Sequence, residues 1–188
     1  MRLLNLGLAV FLGVHLVPAF PAWRNALVQR LGELQYKKYF SLASGAGFLL
    51  IVIGFAVSER GPQLFAPVAG ARMLAPIVVP IALILIAAAN MPSRIRAVLR
   101  HPMLLGIVLW SGVHFLANGN LRASVLFGAF FVWAVVDLVS AFARGPGRTF
   151  VPQAKYDAMS VGGGLLVALV IMVLHRLLFG VPVVPFSI

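Results

Sequence analysis

Apolar residues run along the chain in six long stretches, residues 3–20, 40–57, 73–90, 103–118, 123–142 and 161–179, separated by short polar segments. A helix that crosses a bilayer needs about 20 mainly apolar residues, within a range of about 17–25. Five stretches meet that length comfortably, and the fourth is the shortest. No Lys or Arg interrupts any of them before Arg176, near the end of the last. The pattern predicts an all-α, polytopic transmembrane bundle of about six spans, with residues 1–188 forming one unit.

The segments between spans fit this reading. Residues 21–39 predict a helix lying at the membrane interface, with Trp23, Tyr36 and Tyr39 as anchors. Pro102 is suited to the first turn of the fourth span. Asn118-Gly119-Asn120 predicts a tight turn between spans four and five, and Arg144-Gly-Pro-Gly-Arg148 closes span five. Pro76 and Pro80 predict a kink in span three. The glycines at 45, 47, 54 and 162–164 predict close helix contacts. The first stretch is read as a retained span, because Pro21 follows it where a signal peptide would need small residues for cleavage.

Composition strengthens the membrane reading. The chain is 62% hydrophobic and only 10% charged, against about 25% charged in ordinary soluble domains. The net charge of +11 would point to nucleic acid in a soluble protein. Here the basic residues sit between apolar runs, which indicates a membrane surface and no nucleic-acid partner. Arg24, Arg30, Lys37 and Lys38, then Arg94, Arg96 and Arg100, then Arg144, Arg148 and Lys155 lie on one side. Those ten face only five on the other, Arg2, Arg60, Arg72, Arg122 and Arg176. The positive-inside rule makes the richer side cytoplasmic, with both termini periplasmic and an even number of spans. Cysteine is absent, so disulfides, covalent haem attachment and thiolate ligands are excluded.

Ionisable groups within spans cost at least about 2.5 kcal/mol on insertion scales, so they face the bundle and often carry function. His15, His114 and Asp137 are such groups; His101 lies at a loop–helix junction and His175 near a span end. His15 shares a face with Leu8 and Phe11, and His114 with Gly106, Trp110 and Asn118. Two interior histidines on different spans are able to ligate a haem iron axially. They are equally able to bond neighbouring helices as neutral imidazoles. Zinc is disfavoured for want of further ligands. By helical rise, His15 lies about 5 Å to the cytoplasmic side of its span's midpoint and His114 about as far to the other. His101 is lower than His15 by a comparable amount, so depth alone does not choose its partner. Asp137 is read as a partner of Arg144 or Arg100 at the cytoplasmic rim, or of a histidine's second nitrogen. His175-Arg176 is expected to reach the outer interface.

Several segments together resemble the NnrU family of bacterial inner-membrane proteins. They are Val14-His15-Leu16 with Trp23-Arg24-Asn25-Ala26-Leu27, and Gly32-Glu33-Leu34-Gln35-Tyr36 leading to Phe40-Ser41-Leu42. Further on come Arg100-His101-Pro102, Trp110-Ser111-Gly112-Val113-His114 and Asn118-Gly119-Asn120, then Leu126-Phe127-Gly128. The resemblance implies an association with denitrification, around reduction of nitrite and nitric oxide. The family is similar to the zeta-carotene isomerase of plants and cyanobacteria, a membrane protein with haem b. It thereby implies haem b as cofactor, His15 and His114 as axial ligands, and His101 as a further functional residue. The isomerase carries a Cys three residues before its second ligand, where this chain has Ser111, so isomerase chemistry is implied less strongly than haem binding.

Four functions follow as expectations. The first is a haem b protein of nitrogen-oxide respiration, in contact with the lipid bilayer and with respiratory or denitrification membrane proteins. The others are a redox-dependent polyene isomerase, a small-solute transporter, and a cofactor-free assembly subunit. Arg24, Arg100 and Arg122 are candidate partners for haem propionates.

Overall fold

In a computed structural model, which describes residues 1–145, 149–181 and 183, every long apolar stretch is helical. Helix α1 (Arg2–Leu16) runs into a 3-10 turn, Val17–Ala19. A short helix α2 (Pro21–Leu31) follows, then α3 (Glu33–Val57) and α4 (Ala69–Ala88). The six-residue α5 (Arg94–Leu99) precedes α6 (Pro102–Asn118), α7 (Leu121–Ala143) and α8 (Ala154–Phe179). The stretch from Arg2 to Ala19 and helices α3, α4, α7 and α8 are long and apolar enough to cross a membrane. With the shorter apolar α6 they make the six expected spans.

Helices outrun the apolar stretches at two places. α3 starts at Glu33, where Lys37 Nζ sits 3.1 Å from Glu33 Oε1 one turn on. α8 starts at Ala154 with Asp157 in its first turn. Hydropathy measures the part of a helix that tolerates lipid, whereas pairs at i,i+4 and acids near an N-terminus extend the helix into water. α5 has no counterpart in the apolar pattern. Six residues are too few to show a period, and its signal is Ser93, whose Oγ accepts from Arg96 N at 3.1 Å as an N-cap.

Spatial order differs from chain order. α1 packs against α3 on one side and α7 on the other; α7 meets α6, α6 meets α4, and α4 meets α8. Glycines set the closest approaches. A methyl group at Gly7 would stand 2.6 Å from Ile51 N, one at Gly106 2.6 Å from Ala82 O, and one at Gly164 2.6 Å from the Ile84 Cα. Gly47 and Gly54 make similar approaches to α1. Gly45, Gly162 and Gly163 face open space, so the expected close contacts fail there. α4 remains one helix through Pro76 and Pro80. The outer faces carry exposed Leu, Val and Ile, the surface a lipid-embedded bundle presents.

Pro102 occupies the first turn of α6, and Gly119 ends that helix with φ 75°, a left-handed conformation that glycine adopts freely. The Asn120 side chain then accepts from Ala123 N at 3.0 Å to start α7. The α3–α4 connection folds over this turn. Leu64 N donates to Gly119 O at 2.8 Å, and Leu121 N to Pro62 O at 2.9 Å. Of the sequence expected to close span five, Arg144 ends α7 and Gly145 follows it; residues 146–148 lie outside the described residues.

Candidate functional site

α7 stands between the two helices that carry the interior histidines, and it lines the gap with aromatic rings at steps of three: Phe127, Phe130 and Trp133. His114 stacks on Phe127 with ring centroids 4.7 Å apart. His15 meets the edge of Trp133 at 5.8 Å and Phe40 of α3 at 5.1 Å. Phe130 touches Phe11 at 5.8 Å and Trp110 at 5.6 Å. The two histidines are thus joined by a continuous run of rings. The interior around them is aromatic rather than broadly polar.

Each histidine is held in the same way. His15 Nδ1 lies 2.7 Å from Phe11 O, and His114 Nδ1 lies 2.7 Å from Trp110 O, in both cases the carbonyl one turn earlier. A carbonyl only accepts, so Nδ1 carries a proton, and the neutral form of each ring then has its lone pair on Nε2. That is the tautomer in which imidazole ligates a metal through Nε2. The sequence contains the signal twice, as Phe-x-x-x-His and Trp-x-x-x-His. The aromatic residues of this repeat are wall-forming members of the site that a search for ionisable groups passes over.

Helix α7 also settles the order of depths. Phe127 beside His114 and Trp133 beside His15 are six residues apart, an axial rise of about 9 Å. His101 meets Phe142 at 5.1 Å. Phe142 is nine residues beyond Trp133, a rise of about 13.5 Å. His15 is therefore nearer in depth to His114 than to His101, and the tie in the sequence is broken by contacts with a third helix.

The donor set suits a porphyrin better than a bare ion. Among the described residues no three His, Asp or Glu side chains come together as ligands. A haem needs only two axial imidazoles and apolar walls. In this structure Phe11, Phe130 and Trp110 stand between the histidines, so a macrocycle there requires those rings to turn aside. Two apolar grooves, of about 400 and 310 Å³, lie instead on the outer side of α6, about Gly112, Leu116 and Phe131, and touch neither histidine.

The remaining candidates form a separate layer at the far end of α6. Arg144 pairs with Asp137 at 3.3 Å, as the rim reading expected. Arg144 also donates to Ser140 Oγ, and both Arg144 and Ser140 donate to Ala19 O, fastening the end of α1 to α7. His101 lies close enough to feel both Asp137 and Arg144, and its Nε2 is buried without a protein partner. Burial, then the positive charge of Arg144, holds the His101 imidazole below the ordinary histidine range, against the opposing pull of Asp137.

Of the three basic residues considered for propionates, Arg122 is committed to Phe55 O and Ser58 O, at 3.0 and 2.7 Å, at the end of α3. Arg24 pairs with Glu33 at 3.5 Å. Arg100 ends α5 with φ 60°. Ser111 is fully buried, and its hydroxyl donates to Ile107 O of its own helix. His175 Nδ1 bonds Val181 O at 2.7 Å, at the end of α8.

Comparison with curated proteins gave no match, and comparison with solved structures gave none. The profile of the NnrU protein family matches residues 3–183, nearly the whole chain, and joins the two histidine-bearing segments in one alignment: this chain belongs to the NnrU family.

Proposed function

We propose that this chain is a haem b protein of the bacterial cytoplasmic membrane, with His15 and His114 as axial ligands and a role in nitrogen-oxide respiration. The observation that carries the reading is the matched pair of Nδ1 bonds to Phe11 O and Trp110 O. They fix Nδ1 of each ring on its own helix, which leaves Nε2 as the nitrogen of each histidine for ligation. A bound haem would supply one-electron chemistry. The chain's own part is to fix both imidazoles by a backbone bond and to surround them with rings that exclude water. The link to nitrite and nitric oxide rests on family membership alone.

The test is an absorption spectrum of the detergent-purified protein, oxidised and then reduced, beside His15→Ala and His114→Ala. Sharp reduced α and β bands that are lost or shifted in either variant support the reading. A colourless protein that stays so after haem reconstitution, with both variants folded, sinks it. A second reading then stands, a cofactor-free membrane subunit. The direct contacts of Phe130 with Phe11 and Trp110 favour it, because they fill the space between the histidines without any ligand. Polyene isomerisation is the weaker alternative, since Ser111 takes the place of a redox-active thiol.

A further inference from the structure

Two apolar grooves run side by side on the outer surface of the bundle. One, of about 400 Å³, lies between α4 and α6, and the other, of about 310 Å³, between α6 and α7. Gly112, Leu116 and Phe131 line both, so the grooves share a wall. Gly112 forms part of that wall without a side chain, and a methyl group there would stand 3.3 Å from the Phe131 ring. Gly70, at the head of the first groove, faces open space. Along α6 the first groove extends from Leu116 to Val108. That is an axial rise of about 12 Å, most of the depth of one leaflet in a hydrocarbon core about 30 Å thick.

A basic side chain is fixed at the mouth of the grooves. The last carbonyls of α6 have no partner within their own helix. The start of α4 meets them: Val68 N donates to Leu116 O at 2.9 Å, and Arg72 Nε donates to Ala117 O at 3.0 Å. Leu116 belongs to both grooves, so the bond to its neighbour holds the Arg72 guanidinium where both grooves end. Capping α6 uses one of the five guanidinium donors. Arg72 is exposed, and its two terminal nitrogens meet no protein acceptor among the described residues. No carboxylate among those residues lies within ion-pair distance of it. A planar fork of N–H groups matches a phosphate bidentately. Two apolar channels with a common wall and one cation at their shared head match a molecule with two hydrocarbon chains and one phosphate.

We propose that these grooves and Arg72 form a binding site for one anionic phospholipid of the leaflet beside the α3–α4 connection. Its phosphate lies on Arg72, and its acyl chains run on either side of the wall made by Leu116 and Phe131. An arginine without a carboxylate partner favours a head group of net negative charge over a zwitterionic one, whose ammonium it repels. The site touches neither histidine, so it is independent of the haem reading.

Native mass spectrometry of the full chain released from detergent tests it, after titration with phosphatidylglycerol or with phosphatidylcholine of the same acyl chains. The site predicts one phosphatidylglycerol retained about fivefold better than phosphatidylcholine, the factor that one basic side chain near a membrane surface contributes. Arg72→Gln is expected to abolish that preference, and Arg72→Lys, which keeps the charge, to retain most of it. Gly70→Leu, which fills the head of the first groove, is expected to weaken retention of both lipids severalfold. The Arg72 variants change an exposed side chain and leave the grooves intact, so they read the head-group contact apart from the packing of α4. Equal retention of the two lipids by the unaltered protein overturns the proposal. A preference that survives Arg72→Gln, or retention unchanged in Gly70→Leu, overturns it as well.

Discussion

Gly47 of α3 lies so near Phe11 of α1 that a methyl group in its place would stand 2.8 Å from the Phe11 backbone nitrogen. Phe11 is also the residue whose carbonyl holds His15 Nδ1. The packing of the first two spans and the setting of the first histidine therefore meet at one residue. Gly47→Val is expected to destabilise the protein by about 1–3 kcal/mol, the cost of forcing volume into a packed contact. Gly45→Ala, two residues away in open space, is expected to gain about 0.5–1 kcal/mol from helix propensity. Thermal unfolding of both variants in detergent checks the contrast, and equal melting temperatures would remove the contact from the account.

The same helix shows what the sequence made legible and what it did not. Residues 40–57 were recognisable as a span because lipid tolerance is written in local composition. The extension back to Glu33 was not, since it depends on an ion pair between polar side chains outside the lipid. That Gly47 packs while Gly45 does not follows from which face meets α1, a fact of register between helices. The candidate histidines were visible as costly groups inside spans. Their order in depth became visible only through Phe127, Trp133 and Phe142, residues of a third helix. Trp133 carries no signal in the sequence, because a Trp in a span is unremarkable until its ring is seen packed against His15.

Arg144 connects more groups than Asp137 does, and the two should not be equivalent. Asp137 contributes one contact to the pair, at 3.3 Å, whereas Arg144 also reaches Ala19 O and Ser140. Arg144→Ala is expected to cost about 1.5–3 kcal/mol, because it removes charged hydrogen bonds from partly buried partners. Asp137→Asn should cost less. A double-mutant cycle is expected to give a coupling of at least about 0.5 kcal/mol, as for residues in one network. Additive effects would mean that the pair is incidental to the docking of α1 on α7.

His101 should make the protein less stable in acid. Burial and Arg144 lower its folded-state pKa relative to the unfolded chain, so the unfolded state binds its proton more readily. Its contribution is fully present above the unfolded value, about 6.5, and is lost as pH falls through the folded one. Melting temperature measured from pH 8 to pH 4.5 should fall less steeply in His101→Gln than in the unaltered protein. Parallel curves would show that His101 does not titrate differently in the two states.

The direction of the bundle is testable with little preparation, because the chain contains no cysteine and every introduced thiol is unique. Six spans place the α3–α4 connection and the α7–α8 connection on opposite faces. The charge count assigns the face bearing Arg94, Arg96 and Lys155 to the cytoplasm. Glu59→Cys is therefore expected to react with a membrane-impermeant maleimide in intact right-side-out vesicles, and Lys155→Cys only after permeabilisation. Glu59 and Lys155 belong to helix ends and connections rather than to the aromatic layer, so neither change should disturb the histidines. The reverse pattern would invert the bundle while leaving the packing described above intact. Labelling of both positions in intact vesicles would contradict six spans, since the three crossings α4, α6 and α7 separate these two connections and an odd number places them on opposite faces.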